Sequence, residues 1–284
     1  RMVLAVEHNS HASSSLLLDG GGVPPSCAIR RRCCRSRRRP CRRSFSVLLD
    51  TLPSSSARTS RVSLSTSALI RVTCSRSAAI DEAHENMHKW LRPGRTEREV
   101  GRDIAEAILA AGHAQVDFVI VASGPNGASP HHELSDRVIQ VGEPVVVDIG
   151  GTMPNGYCSD CTRMYSCGAP PNEYLDYYKV LLAAQTAARD HARPGVTCES
   201  VDTAAREVLV AANLGEQFIH RTGHGIGMET HEEPYIVSGN KTLLVPGHAF
   251  SIEPGFYFAG KFGARIEDIV TCTETGISCA NNTT

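Results

Sequence analysis

Five residues of the metal-ligand type, strung in order along the C-terminal three-quarters of the chain, constrain it more than any other feature. They are Asp148 in Val-Val-Val-Asp-Ile-Gly-Gly, Asp160 in Ser-Asp-Cys-Thr-Arg, His224 in Gly-His-Gly-Ile-Gly, Glu253 in Ser-Ile-Glu-Pro-Gly and Glu267 in Arg-Ile-Glu-Asp. Each stands in an apolar or Gly-rich stretch that reads as a strand or strand end. Charged side chains are rarely buried without a partner, so four acids in such runs call for cations. Four carboxylates and one imidazole make a hard, oxygen-rich shell, suited to two divalent ions rather than one structural zinc.

Composition limits the alternatives. No run of 18 apolar residues occurs, which excludes a transmembrane helix by hydropathy. Residues 1–65 hold 12 arginines, no lysine and three acids, whereas the remainder sets 17 basic residues against 27 acidic ones. An acidic remainder argues against nucleic acid as its binding partner. Of the 11 cysteines, five (Cys27, Cys33, Cys34, Cys41, Cys74) lie near the N-terminus. Cys158 and Cys161 flank Asp160 in a C-x-x-C pair without a second pair at zinc spacing, and are expected to be reduced thiols beside the site.

Residues 1–75 are Arg- and Ser-rich and of low complexity. This leader is expected to be unfolded, or to derive from a frame-shifted reading of the gene. Its composition also fits an organelle transit peptide, the alternative to a cytoplasmic location. The domain is expected to occupy 76–284. Ile80, Ala83, Met87, Trp90 and Leu91 predict a helix ending at Pro93-Gly94. Thr96-Glu-Arg-Glu99 is a capping box opening a second helix that Gly112 ends. Strands are expected at 116–122, 145–149 and 157–165, then helices at 172–192 and 199–213, the latter closed by Gly215. The last third reads as strands at 235–237, 249–253, 256–258 and 265–273. Two helices then strands, twice over, point to an α+β fold.

These segments, above all Phe218-Ile-His-Arg-Thr-Gly-His-Gly-Ile-Gly-Met-Glu-Thr-His-Glu-Glu-Pro-Tyr235, resemble the pita-bread metallopeptidases: methionine aminopeptidase, prolidase, aminopeptidase P and creatinase. The likeness runs from about Ala78 to Gly276. It implies a pita-bread fold of two pseudo-twofold α/β halves. It also implies that Asp148 binds one divalent ion (Mn, Co or Zn), His224 and Glu253 the other, and that Asp160 and Glu267 bridge the two. A bridging hydroxide would then attack the peptide carbonyl, with Glu253 shuttling the proton. His131 and His231 match substrate-facing histidines, His231 the donor to the tetrahedral intermediate. His220 and Arg265 match positions of proline-cleaving members.

The implied activity is hydrolysis of Xaa-Pro bonds at the N-terminus of dipeptides or short peptides. The alternatives are a methionine aminopeptidase and a non-catalytic pita-bread binding protein. The substrate partner is a short peptide, no nucleic acid or membrane is expected, and a homodimer is left open. Such dipeptidases typically carry a separate N-terminal domain, which this leader is not expected to form.

Overall fold

The structure, a computed structural model, describes residues 4–5 and 66–281. Most of the leader, and with it the expectation that it is unfolded, lies outside the described residues. Its last ten residues do not, because helix α1 (Thr66–Glu85) runs across the expected boundary at 75/76.

The first predicted helix is two. After α1, the Asn86 side chain donates to Glu82 O (2.8 Å) and so contributes a competing local bond, and a four-residue α2 (Met87–Trp90) follows. Thr96 caps α3 (Glu97–Ala110): its hydroxyl accepts from Glu99 N while the Glu99 carboxylate accepts from Thr96 N. Such a cap contributes about 1 kcal/mol. Gly112 follows with φ 106°, a left-handed exit that glycine takes at little cost.

β2 (Gln115–Ser123), β3 (Pro144–Thr152) and β4 (Cys158–Ser166) form an antiparallel sheet, with β1 (Leu4–Ala5) on the free edge of β4. Strand periodicity divides β3. Val145, Val147 and Ile149 pack with Ile80, Met87, Ile104 and Ile108 of the helices, whereas Val146 belongs to the core on the other side. Asp148 alternates with Val146 and faces that second side.

The second half repeats the plan. Helices α4 (Asn172–His191) and α5 (Cys198–Ala211) cover a sheet ordered β11-β10-β7-β5-β6. Its strands are β5 (Gly223–Gly225), β6 (Glu232–Ile236), β7 (Ala249–Ile252), β10 (Asp268–Cys272) and β11 (Ile277–Cys279). The hairpin β8 (Gly255–Phe258) with β9 (Phe262–Arg265) adds Phe256 and Phe262 to a core holding Tyr174, Leu181, Val201, Leu209 and Phe250. The stop expected at Gly215 comes earlier: Asn213, at φ 59°, takes the left-handed conformation. The strand expected over 265–273 breaks at Ile266-Glu267, where the backbone N–H groups leave the sheet for Pro254 O (3.3 Å) and Thr162 O (3.3 Å). Among the described residues no helix is long and apolar enough to cross a membrane.

Candidate metal centre

The two halves meet at a cavity of about 1030 Å³, whose lining includes Asp148, Asp160, His224, Glu253 and Glu267. Asp148 and Asp160 come from neighbouring strands, because the β3–β4 register sets Asp148 opposite Thr162 and Asp160 opposite Gly150. Glu267 occupies the break between β9 and β10 and takes a hydrogen bond from Thr162 Oγ1 (2.8 Å).

His224 is oriented from three sides. Its backbone N–H donates to Ser251 Oγ (3.0 Å) and its Nδ1 to Gly225 O (3.1 Å). That leaves Nε2 toward Glu253 Oε1 (3.2 Å) and Asp160 Oδ2 (3.7 Å). Gly223 makes this approach feasible, since a Cβ there would collide with the Ser251 backbone.

Ligand atoms of Asp160, His224 and Glu267 all lie within 4.8 Å of one another. Burial, then the neighbouring carboxylates, push both Asp160 and Glu267 well above the ordinary carboxylate range. Burial also opposes ionisation of Glu253, but the His224 hydrogen bond and charge outweigh it and hold its pKa low. Asp148 Oδ1, Asp160 Oδ1 and Glu267 Oε1 are buried with no hydrogen-bond partner. Converging acids, orphaned oxygens and an oriented imidazole fit divalent ions, whose charge would offset the repulsion.

The remaining expected residues line the same cavity. His131 and His231 are exposed to it. The His231 ring meets that of His224 edge-on, centroids 4.2 Å apart; partial desolvation on the cavity side, then the charges of His224 and Arg221, lower its pKa to about 4. His220 differs from a free substrate-facing base, because both ring nitrogens are engaged. Nδ1 donates to Arg221 O (2.7 Å), and Nε2 accepts from the Tyr257 hydroxyl (2.9 Å). Arg265 is likewise committed: it pairs with Asp148, donates Nη1 to Tyr257 Oη (2.8 Å) and Nε to Thr162 Oγ1 (3.1 Å). Cys158 and Cys161 are free thiols, both buried.

Three further residues carry no clear mark in the sequence: Tyr257, which joins Arg265 to His220, and two buried acids, Glu97 and Asp202. Their types are ordinary at those positions, and only the tertiary contacts single them out. Glu97 carried a faint signal as a second acid inside a capping box that Glu99 already completes.

Residues 74–274 match metallopeptidase family M24. A probable dipeptidase PepE of Mycobacterium bovis is 60% identical over 205 residues, covering 72% of this chain and 55% of the relative. An Xaa-Pro dipeptidase of Lactobacillus delbrueckii subsp. lactis is 45% identical over 188 residues, covering 66% of this chain and 51% of the relative. Among solved structures, the prolidase from Pyrococcus furiosus superposes with TM-score 0.75 at 35% identity, covering 78% of this chain and 65% of that one. The architecture is therefore the pita-bread fold. The chain belongs to metallopeptidase family M24, and it spans about half the length of these curated relatives.

Proposed function

We propose that this chain carries a dinuclear-metal exopeptidase that hydrolyses Xaa-Pro bonds at the N-terminus of dipeptides or short peptides. The observation that carries this reading is the cluster of Asp160, His224 and Glu267 ligand atoms within 4.8 Å of one another, in a cavity where Asp148, Asp160 and Glu267 each keep a buried carboxylate oxygen without a hydrogen-bond partner. Asp148, Asp160, His224, Glu253 and Glu267 would hold the ions. When bound, two divalent ions supply Lewis acidity, lowering the pKa of water and polarising a peptide carbonyl.

The chain's own residues supply the rest. Glu253, held ionised by the His224 hydrogen bond and charge, would take a proton from water and return it to the departing nitrogen. His231 is neutral at physiological pH and can donate a hydrogen bond to an oxygen that gains charge. Phe118, Ile120, Tyr235 and Val237 give the cavity an apolar wall that suits a pyrrolidine ring. The likeness to the Lactobacillus Xaa-Pro dipeptidase and the Pyrococcus prolidase supports the proline preference.

The purified chain, assayed with Mn, Co or Zn, should cleave Xaa-Pro peptides faster than Met-Ala-Ser. The reverse order would favour a methionine aminopeptidase. Failure to cleave either, with metal bound, would favour the non-catalytic reading.

A further inference from the structure

Helix α3 begins beneath the loop that carries His131. The backbone N–H groups of Glu97 and Arg98 donate to Arg137 O (3.0 Å) and Ser135 O (3.0 Å), so the loop caps the helix. The Glu97 carboxylate is fully buried beneath it. Its Oε1 accepts from Ser123 N (2.7 Å), Ser123 Oγ (2.8 Å) and Asn126 Nδ2 (3.1 Å). Its Oε2 accepts from Asn126 Nδ2 (3.0 Å), Ser135 Oγ (2.5 Å) and His132 Nε2 (2.8 Å).

None of these donors belongs to α3, and Thr96 with Glu99 already completes the helix cap. Glu97 is therefore spare for the helix. A buried carboxylate is costly unless its bonds are made, and here all of them go to the segment from 123 to 135. One turn further on, Gly101 leaves room for Leu134 of the same loop: a Cβ there would lie 2.5 Å from Leu134 Cδ1. From the opposite side, Arg265 Nη1 donates to Pro130 O (3.3 Å). The backbone of His131 is thus held on both sides, through Pro130 and through His132, while its ring stays exposed to the cavity.

We infer that Glu97 is a positioning residue for the proposed reaction: it anchors His132 and Ser135 so that His131 is presented to substrate. Asp202 of α5 provides a contrast. It accepts from Arg206 Nε (2.9 Å), Thr222 N (3.1 Å) and Thr222 Oγ1 (2.8 Å). Thr222 O in turn receives Glu253 N (2.7 Å). Asp202 therefore supports a candidate metal ligand, whereas the Glu97 carboxylate holds the end of β2 and, through His132 and Ser135, the loop that carries His131.

This inference rests on the peptidase reading, and the test separates the two. The full chain, its Glu97→Gln and its Asp202→Asn variants are loaded with Mn and dialysed. Bound Mn, kcat and KM on an Xaa-Pro peptide, and amide exchange over 129–137 are then measured. Glu97→Gln should keep wild-type Mn and lower kcat by about tenfold or more, the scale of one lost charge-assisted bond. Its KM should move less than about threefold, and exchange should quicken over 129–137 but not in β3 or β7. Asp202→Asn should lose Mn as well. An unchanged kcat in Glu97→Gln, loss of its Mn, or unchanged exchange over 129–137 would each overturn the inference. If Glu97→Gln folds poorly, Ser135→Ala removes one bond of the anchor and is read in the same way. If the wild type cleaves no peptide, the peptidase reading fails, and exchange over 129–137 alone decides the anchor.

Discussion

Arg265 on β9 forms an ion pair with Asp148 on β3, 117 residues earlier in the chain, and both side chains are buried. The guanidinium takes one carboxylate oxygen, and the other, Oδ1, has no hydrogen-bond partner. One acid is thus divided between a fixed cation and the cavity. Arg265 also ties Tyr257 and Pro130 to this corner, so it orders the site's wall as well as its charge.

Divalent ions should stabilise the protein. Ligand at about 100 times its dissociation constant adds about 2.7 kcal/mol, so chelation should lower the melting temperature and Mn should restore it. Asp160→Asn should blunt that response and cut turnover about 100-fold or more, at least the scale seen for residues around metal sites. Near-native turnover of the variant at saturating metal would refute a bridging role.

His231→Ala should lower kcat by about 10²–10³, the usual loss for one donor to a developing oxyanion, with little change in KM. A rise in KM at constant kcat would assign His231 to substrate binding instead.

His84 should make stability fall in acid. It is wholly buried, with Nδ1 accepting from the Tyr165 hydroxyl (2.9 Å) and Nε2 donating to Cys161 O (3.2 Å). Burial, reinforced by the charge of Arg163, lowers its pKa from 6.5 to about 3. Between these values the unfolded chain binds a proton that the native state refuses. Its contribution is therefore whole above pH 6.5 and is lost as pH falls toward 3, by up to about 1.4 kcal/mol per pH unit. Denaturant unfolding of His84→Gln should show a shallower decline between pH 7 and pH 4.5; equal slopes would contradict this.

Arg76→Leu should raise stability. The Arg76 side chain is buried in α1, its Nε and Nη1 lack hydrogen-bond partners, and desolvation pulls its pKa down to about 10. Removing such a charge should gain about 1–3 kcal/mol, measurable as a higher denaturation midpoint. A lower midpoint would mean that the guanidinium holds the helix in place.

Most of the architecture was legible where pattern and burial agree. Asn172–His191 and β2 fall within a residue or two of expectation, because long periodic stretches have one buried face. The misreadings lie where a single side chain competes with the backbone, as at Asn86, or where a strand bends to present a residue, as at Glu267. The five acid and imidazole positions were visible from their contradiction of apolar surroundings. Glu97, Asp202 and Tyr257 were not, because a polar residue on a helix or hairpin looks solvated until the segment that covers it is known.

Asp148 and Asp160 come from the strands after α3, whereas His224, Glu253 and Glu267 come from the strands after α5. The seam between them is stitched by Thr162 to Glu267 and by Arg163 Nη2 to Asp268 (2.8 Å). Neither half owns a whole ligand set. An ion seated there would act as a fastener between the halves, and its affinity would gauge how well they dock. A chain cut in the 167–171 link would give two pieces, neither with the full ligand set until the other joined it.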